Sequence, residues 1–133
     1  MINLASNRKG AYCFLKDIAR IENISEKYLS QIVIPLRRAG LLITGRGIHG
    51  GYRLSRDPSL INARDIIEAL EGDLDLIDCA KDEAICASSA KCAGRDMWAQ
   101  LSLEISNFLE SVTLKELAKK QSEKASKYIE YSI

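Results

Sequence analysis

Gly45, Gly47, Gly50 and Gly51 put four glycines into seven residues. They lie in "LLITGRGIHGGYRLSRDP", which starts at Leu41 directly after a helix-like segment ending at Gly40. Glycine takes positive φ without steric cost, so this density marks a tight or projecting turn. The flanking runs, Leu41 to Thr44 and Tyr52 to Ser55, are short and strand-like, and together they predict a β-hairpin. Arg46, His49 and Arg53 stand on or beside its tip. The glycines match neither G-x-G-x-x-G nor the lysine-ended phosphate loop, and no helix begins directly after them, which argues against a nucleotide site.

The residues before the hairpin predict two helices and a tight turn. In "LKDIARIENISEKYLSQIVIPLRRAG", Leu15, Ile18 and Ala19 form one face, and the pattern breaks at Asn23-Ile24. Ser25 suits the N-cap of the second helix because its hydroxyl accepts a first-turn N–H, and Glu26 favours the positive helix end. Tyr28, Leu29, Ile32, Val33 and Leu36 supply the apolar positions, leaving Glu26, Lys27, Ser30, Gln31 and Arg37 more exposed. Pro35 is expected to bend or interrupt this helix, and Gly40 to end it. Upstream, residues 1–9 look like the end of a helix stopped at Gly10, and "AYCF" like a short extended stretch. A helix-turn-helix followed at once by a basic hairpin is a winged helix. Its recognition helix, Ser25 to Ala39, would lie in a major groove while the hairpin meets the backbone or the minor groove.

Charge agrees with that geometry. The net charge is +1, but residues 1–56 carry ten Lys/Arg against three Asp/Glu, and residues 57–133 carry nine against fifteen. The balances, +7 and −6, point to a basic half that meets a polyanion and an acidic half that does something else. "MINLASNRKG" lacks the features of a signal peptide, and apolar runs of three or four residues are too short for a membrane span. A cytoplasmic protein with no membrane partner is expected, in a reducing compartment where disulfides do not persist.

The acidic half begins with another helix in "SLINARDIIEALEG". Asn62 is its cap, Asp65 follows three residues on, Ile66, Ile67 and Leu70 face a core, and Gly72 closes it. From Asp96, Trp98, Leu101, Ile105, Phe108 and Val112 recur at steps of three or four. Such a stripe on a helix distal to a small domain has few partners in its own chain, which favours a dimerisation helix. "TLKELAKKQ" predicts a short helix capped by Thr113, and the lysine-rich stretch after Ser122 a frayed tail.

Between these helices, "CAKDEAICASSAKCAGRDMW" holds Cys79, Cys86 and Cys92 at C-x6-C-x5-C. Structural zinc sites pair thiolates at C-x2-C or C-x4-C, so these spacings are too wide for a knuckle. They suit a loop that spreads soft ligands around a larger object such as a two-iron cluster. A thiol redox switch, zinc and no ligand role are the alternatives. Asp78, Glu83 or Asp96 could add an oxygen ligand, as could a partner chain or a small molecule. Cys13, between Tyr12 and Phe14, is expected to be a buried small hydrophobe.

"ISEKYLSQIVIPLRRAGLLITGRGIHGGYRLSRDP", "DIIEALEG", the three cysteines with "RDMW", and "TLKELAKKQ" together resemble the bacterial winged-helix regulators of the IscR, NsrR and CymR type, over nearly the whole chain. The resemblance implies a homodimeric transcription factor, not an enzyme. In the cluster-binding branches three cysteines hold a 2Fe-2S or other iron-sulfur cluster that controls DNA binding. In the cysteine-metabolism branch those cysteines are absent and a partner enzyme docks instead. By position, Cys79, Cys86 and Cys92 match the cluster ligands. Lys27, Tyr28, Ser30 and Gln31 match the base- and phosphate-contacting positions, and Arg46 the wing arginine. Ser25, Gly47 and His49 belong to the same DNA-binding surface.

The departures from the family pattern are informative. Ser30 stands where the enteric iron-sulfur-assembly regulator has an operator-discriminating glutamate, which argues against dual specificity. Arg95 replaces that regulator's histidine ligand, and a guanidinium that never deprotonates cannot ligate iron. By comparison the chain starts partway through the family's first helix. The expected fold is therefore mainly α with a small β-hairpin: a winged helix-turn-helix domain (1–58), a linking helix (59–78), a cysteine loop (79–97), a dimerisation helix and a short C-terminal helix (98–125), and a tail (126–133). The expected function is cluster-responsive repression of iron-sulfur assembly or stress genes from a two-fold operator. The alternatives are a cluster-free regulator of sulfur metabolism under a partner enzyme, or a thiol redox-sensing repressor.

Overall fold

The computed structural model describes residues 1–7, 10–47 and 50–131. Helix α1 (Ile2–Ser6) is short. Helices α2 (Leu15–Glu22) and α3 (Glu26–Arg38) form the helix-turn-helix. The turn is made by Asn23, whose φ of 52° lies in the left-handed region and whose N–H, with that of Ile24, closes the end of α2. Asparagine tolerates that conformation better than most residues. Ser25 caps α3 as expected, its Oγ accepting the Tyr28 N–H at 3.1 Å.

Pro35 does not interrupt α3. It falls in the last turns, where only its own N–H bond is lost, and its carbonyl accepts the Ala39 N–H at 2.9 Å. The helix stops one turn later at Ala39 and Gly40, whose φ is +71°.

Strands β1 (Leu42–Gly45) and β2 (Gly51–Leu54) pair antiparallel with Leu42 opposite Leu54 and Gly45 opposite Gly51. "AYCF" adds a bridge at the edge of this hairpin, Cys13 N–H donating to the Tyr52 carbonyl at 2.9 Å and Tyr52 N–H to the Cys13 carbonyl at 2.8 Å. The crossing requires glycine at 51. Its φ is +127°, and a Cβ there would lie 2.5 Å from the Cys13 carbonyl oxygen. Cys13 itself is half-buried against the core and accepts a hydrogen bond from Asn7 Nδ2, so it is less enclosed than expected.

Helix α4 (Ala63–Glu71) starts from the anticipated capping box, with Asp65 N–H donating to Asn62 Oδ1 at 2.8 Å and Asn62 N–H to Asp65 Oδ2 at 3.4 Å. Ile66 packs on the core, whereas Leu70 is exposed rather than inward. Helix α5 (Asp78–Lys81) and two single 3-10 turns, Glu83–Ile85 and Ser89–Lys91, divide the cysteine segment. Helix α6 (Ala93–Ser111) opens immediately after Cys92.

Helix α7 (Leu114–Tyr131) runs well past Ser122. The expected short helix and tail from residue 126 are thus replaced by continuous helix to residue 131. "SEKASKYIEY" lacks glycine and proline and is rich in good helix formers, so nothing in it stops propagation.

The core gathers Leu4, Ile18, Val33, Leu36, Leu41, Leu42, Leu54, Ile61 and Leu114. Ile61 and Leu114, both fully buried, belong to a two-way staple: Leu114 N–H donates to the Ile61 carbonyl and Ala63 N–H to the Val112 carbonyl, each at 2.8 Å. The staple fixes the base of α7 to the base of α4, and α7 then packs along α1. Truncating Leu114 to alanine should cost about 2–5 kcal/mol.

Candidate functional site

The surface of α3 that faces away from the core carries the residues expected to meet DNA. Ser25, Lys27 and Gln31 are exposed. Tyr28, expected among the apolar positions, is 57% exposed and lies outside the core. It stands beside Lys27 and Gln31 as a large amphipathic side chain available to a partner. Ser30 is half-buried and its hydroxyl donates to the Lys27 carbonyl at 2.7 Å. That bond leaves the oxygen's lone pairs, rather than its proton, for an outside group.

The wing carries its cations on a rigid base. Arg46 and Gly47 are exposed at the end of β1, Gly47 with φ of +81°, whereas His49 lies outside the described residues. Arg53 on β2 stacks over the Tyr12 ring at 5.2 Å. Gly45 lies under the same ring, where a Cβ would approach Tyr12 Cε1 to 2.9 Å. The missing side chain at 45 thus seats Tyr12, and Tyr12 holds the Arg53 guanidinium. A helix presented with its side chains outward and flanked by a cationic hairpin is the geometry that enters a major groove and grips the adjacent backbone.

The cysteine segment is tied down at both ends. Asp73 accepts the Asp75 N–H at 2.9 Å and pairs with Lys81 at 2.7 Å. The Lys81 ammonium and that N–H hold the Asp73 carboxyl below its ordinary value, and Asp73 in turn raises Lys81. At the other end Arg95, in the first turn of α6, donates from Nε to the Cys79 carbonyl at 2.7 Å. Its Nη2 pairs with Glu83 at 3.2 Å, and its side chain is only 17% exposed. Arg95 is therefore a structural tie that joins α5, the first 3-10 turn and α6.

All four cysteines are free, with Cys79 half-buried and Cys86 and Cys92 exposed. Among the described residues no three thiol, imidazole or carboxylate side chains converge into a metal-holding group. The donor set still fits an iron-sulfur cluster in kind: three unpaired soft thiols on one short segment, two of them open to solvent. Of the candidate oxygen ligands, Glu83 is paired with Arg95 and Asp96 lies 4.0 Å from it, while Asp78 sits in the first turn of α5. Ser89, between Cys86 and Cys92, is buried, and its Oγ has no hydrogen-bond partner among the described residues. Leaving such a hydroxyl unsatisfied costs about 1–3 kcal/mol.

Helix α6 turns its small side to its own chain. Ala99, Ser102 and Ser106 line a cleft with Arg64, Glu68 and Asp75, and the buried Ser102 Oγ accepts the Leu76 N–H at 3.1 Å. The large residues point outward: Trp98, Leu101 and Phe108 are exposed, as are Met97 and Leu103, and only Ile105 and Val112 of the expected stripe are half-buried. α6 thus presents an exposed apolar face.

Arg95 is the residue whose role the sequence did not declare. Its signal was an arginine opening a helix where its charge opposes the helix dipole, a placement that calls for local acceptors.

A family model described as Rrf2, iron-dependent transcriptional regulator, matches residues 1–120. The transcriptional regulator CymR of Bacillus subtilis is 40% identical over 118 residues, covering 89% of this chain and 80% of that protein. The solved structure of CymR, the global cysteine regulator of B. subtilis, superposes with a TM-score of 0.75 at 39% identity, covering 90% and 87% of the two chains. The structure of IscR from T. potens superposes with a TM-score of 0.73 at 33% identity, covering 92% and 80%. Among the described residues no helix is long and apolar enough to cross a membrane.

Proposed function

Because the chain belongs to the Rrf2 family of transcriptional regulators, we propose that it is a homodimeric DNA-binding repressor whose cysteine segment senses iron-sulfur supply or stress. The carrying observation is the sequence of connections around Arg95: three free thiols lie on a segment that this side chain ties to the first turn of α6, and α6 presents an unpartnered apolar face.

In this reading two copies pair through Trp98, Leu101 and Phe108. The pairing sets the distance between the two α3 helices, which must match half-sites about one DNA turn apart. Lys27, Tyr28 and Gln31 meet base edges and phosphates, and Arg46 and Arg53 grip the backbone beside them. Cys79, Cys86 and Cys92 would hold a 2Fe-2S cluster, with Arg95 unable to serve as a ligand. A bound cluster supplies a centre whose presence and charge follow iron supply, oxygen and nitric oxide. Gathering three thiols changes the order of residues 79–92, and through Arg95 the seating of α6.

The second reading is a cluster-free regulator of sulfur metabolism controlled by a partner enzyme or by thiol oxidation. It is favoured by the similarity to CymR and by the lack of convergence among the described donors. Operator affinity separates the two. The first reading expects affinity to differ between cluster-loaded and cluster-stripped protein, and the difference to vanish in the Cys79→Ser/Cys86→Ser/Cys92→Ser variant. Identical affinity in all three samples would support the partner-controlled reading instead.

A further inference from the structure

Ile34 interrupts a polar line on the outside of α3. At 3.6 residues per turn it lies two turns along from Lys27 and almost directly above it, with Ser30 and Gln31 on either side. The opposite side of the helix is the packed one: Val33 and Leu36 are buried in the core, and Leu29 and Ile32 pack against it. Ile34 is 42% exposed and belongs to neither group. The residues nearest to it on the outer line, Lys27, Gln31 and Arg38, are exposed. A lone exposed isoleucine is ordinary on a protein surface. This one stands at the middle of a cationic, amide-bearing helix face, opposite the core.

The chemistry of the major groove narrows what an apolar side chain gains there. Base edges present hydrogen-bond donors and acceptors, and one apolar group, the C5-methyl of thymine. Isoleucine has no polar atom with which to use the edges of adenine, guanine or cytosine. Its branched Cβ holds essentially one χ1 rotamer in a helix, so packing on a methyl group costs little side-chain freedom.

We propose that Ile34 is a specificity-determining residue that packs against the methyl group of one thymine in each half-site. The inference rests on the DNA-binding reading above, in which α3 enters the major groove. It adds a discrimination by shape, of thymine from cytosine, to the hydrogen bonds that Lys27 and Gln31 offer.

The test uses the full chain and an operator selected with it from a pool of random DNA duplexes. Each thymine of one half-site is replaced in turn by deoxyuridine, which pairs identically and lacks only the methyl group. Affinity is read by fluorescence anisotropy for wild type, Ile34→Val and Ile34→Ser. At one thymine the wild type is expected to lose about fourfold, the worth of one buried methyl-sized group. Ile34→Ser is expected to bind the thymine and deoxyuridine sites equally at that position and to respond like wild type at every other. Ile34→Val is expected to keep part of the difference, and all three proteins to melt alike, since Ile34 lies outside the core. A wild type indifferent to every thymine methyl overturns the inference. So does a methyl dependence that Ile34→Ser leaves intact, which assigns the contact to another residue. An Ile34→Ser chain that does not fold overturns it too, by making Ile34 a packing residue. Wild-type protein that selects no sequence from the pool overturns the DNA-binding reading itself, a result distinguishable from all of these.

Discussion

Arg95 Nε reaches the carbonyl oxygen of Cys79 at 2.7 Å, linking two residues 16 apart in the chain across the whole cysteine segment. The family resemblance draws attention to position 95 as a missing ligand, but the structure gives it a mechanical role. Arg95→Ala should therefore loosen residues 79–92 and cost about 1.5–3 kcal/mol, the usual range for hydrogen bonds to a charged group. Amide exchange over that segment should accelerate while α3 and α7 stay protected. Arg95→Lys should rescue little, because an ammonium cannot hold the Cys79 carbonyl and Glu83 in one planar fork. Unchanged exchange in the alanine variant would remove Arg95 from the path between thiols and α6.

The wing predicts two separable effects. Arg46→Ala should weaken operator binding by about 1–3 kcal/mol and reduce the salt slope by about one. Gly45→Ala should act indirectly, since a Cβ 2.9 Å from Tyr12 displaces the ring on which Arg53 stacks. It should lower affinity and reduce the salt slope through Arg53, leaving the share contributed by Arg46 in place. Fluorescence anisotropy with a labelled operator across a salt series checks both.

On α6, Phe108 is 68% exposed in the single chain. Phe108→Glu places a charge at the centre of the proposed two-fold contact and should yield monomers in sedimentation velocity. The fold itself should survive, because Phe108 faces outward, whereas Ser102 and its small neighbours line the side of α6 turned to the chain. A variant that stays dimeric would move the subunit contact elsewhere.

Much of this architecture was legible in residues with strong local rules. Ser25, the Asn62/Asp65 box, Gly40 and the glycine hairpin each have a short-range physical reason for their place, and all appear where expected. The failures came where a local rule was outweighed or silent. Pro35 carries a helix-breaking cost, but it stands late enough in α3 that only one bond is lost. Tyr28 fits an apolar period yet faces out, because periodicity alone does not separate core positions from exposed ones. The continuation of α7 to residue 131 was hidden by its lysines, which read as solvated tail although they are good helix formers. For the cysteine segment, spacing revealed the donors. The role of Arg95 depends on contacts that no periodicity encodes.

The cap of α7 predicts a pH dependence. Glu116 Oε2 accepts the Thr113 N–H at 2.9 Å and the Thr113 hydroxyl at 3.0 Å, and these bonds hold its carboxyl below the ordinary value of 4.5. A folded-state value below the unfolded one means stability that is present above the unfolded pKa and lost as pH falls through the folded one. Glu116→Gln should therefore have a lower Tm than wild type at pH 6, and the gap should close as acidification protonates the Glu116 carboxyl. A gap independent of pH would show that the charge contributes nothing to the cap.

Whether three free thiols serve one iron-sulfur cluster is measured most directly by the iron and acid-labile sulfide content of the anaerobically reconstituted full chain. About two irons and two sulfides per chain, with visible charge-transfer absorption that disappears in the triple cysteine-to-serine variant, is the predicted result for a 2Fe-2S centre. A colourless protein carrying zinc, or no metal at all, would contradict it.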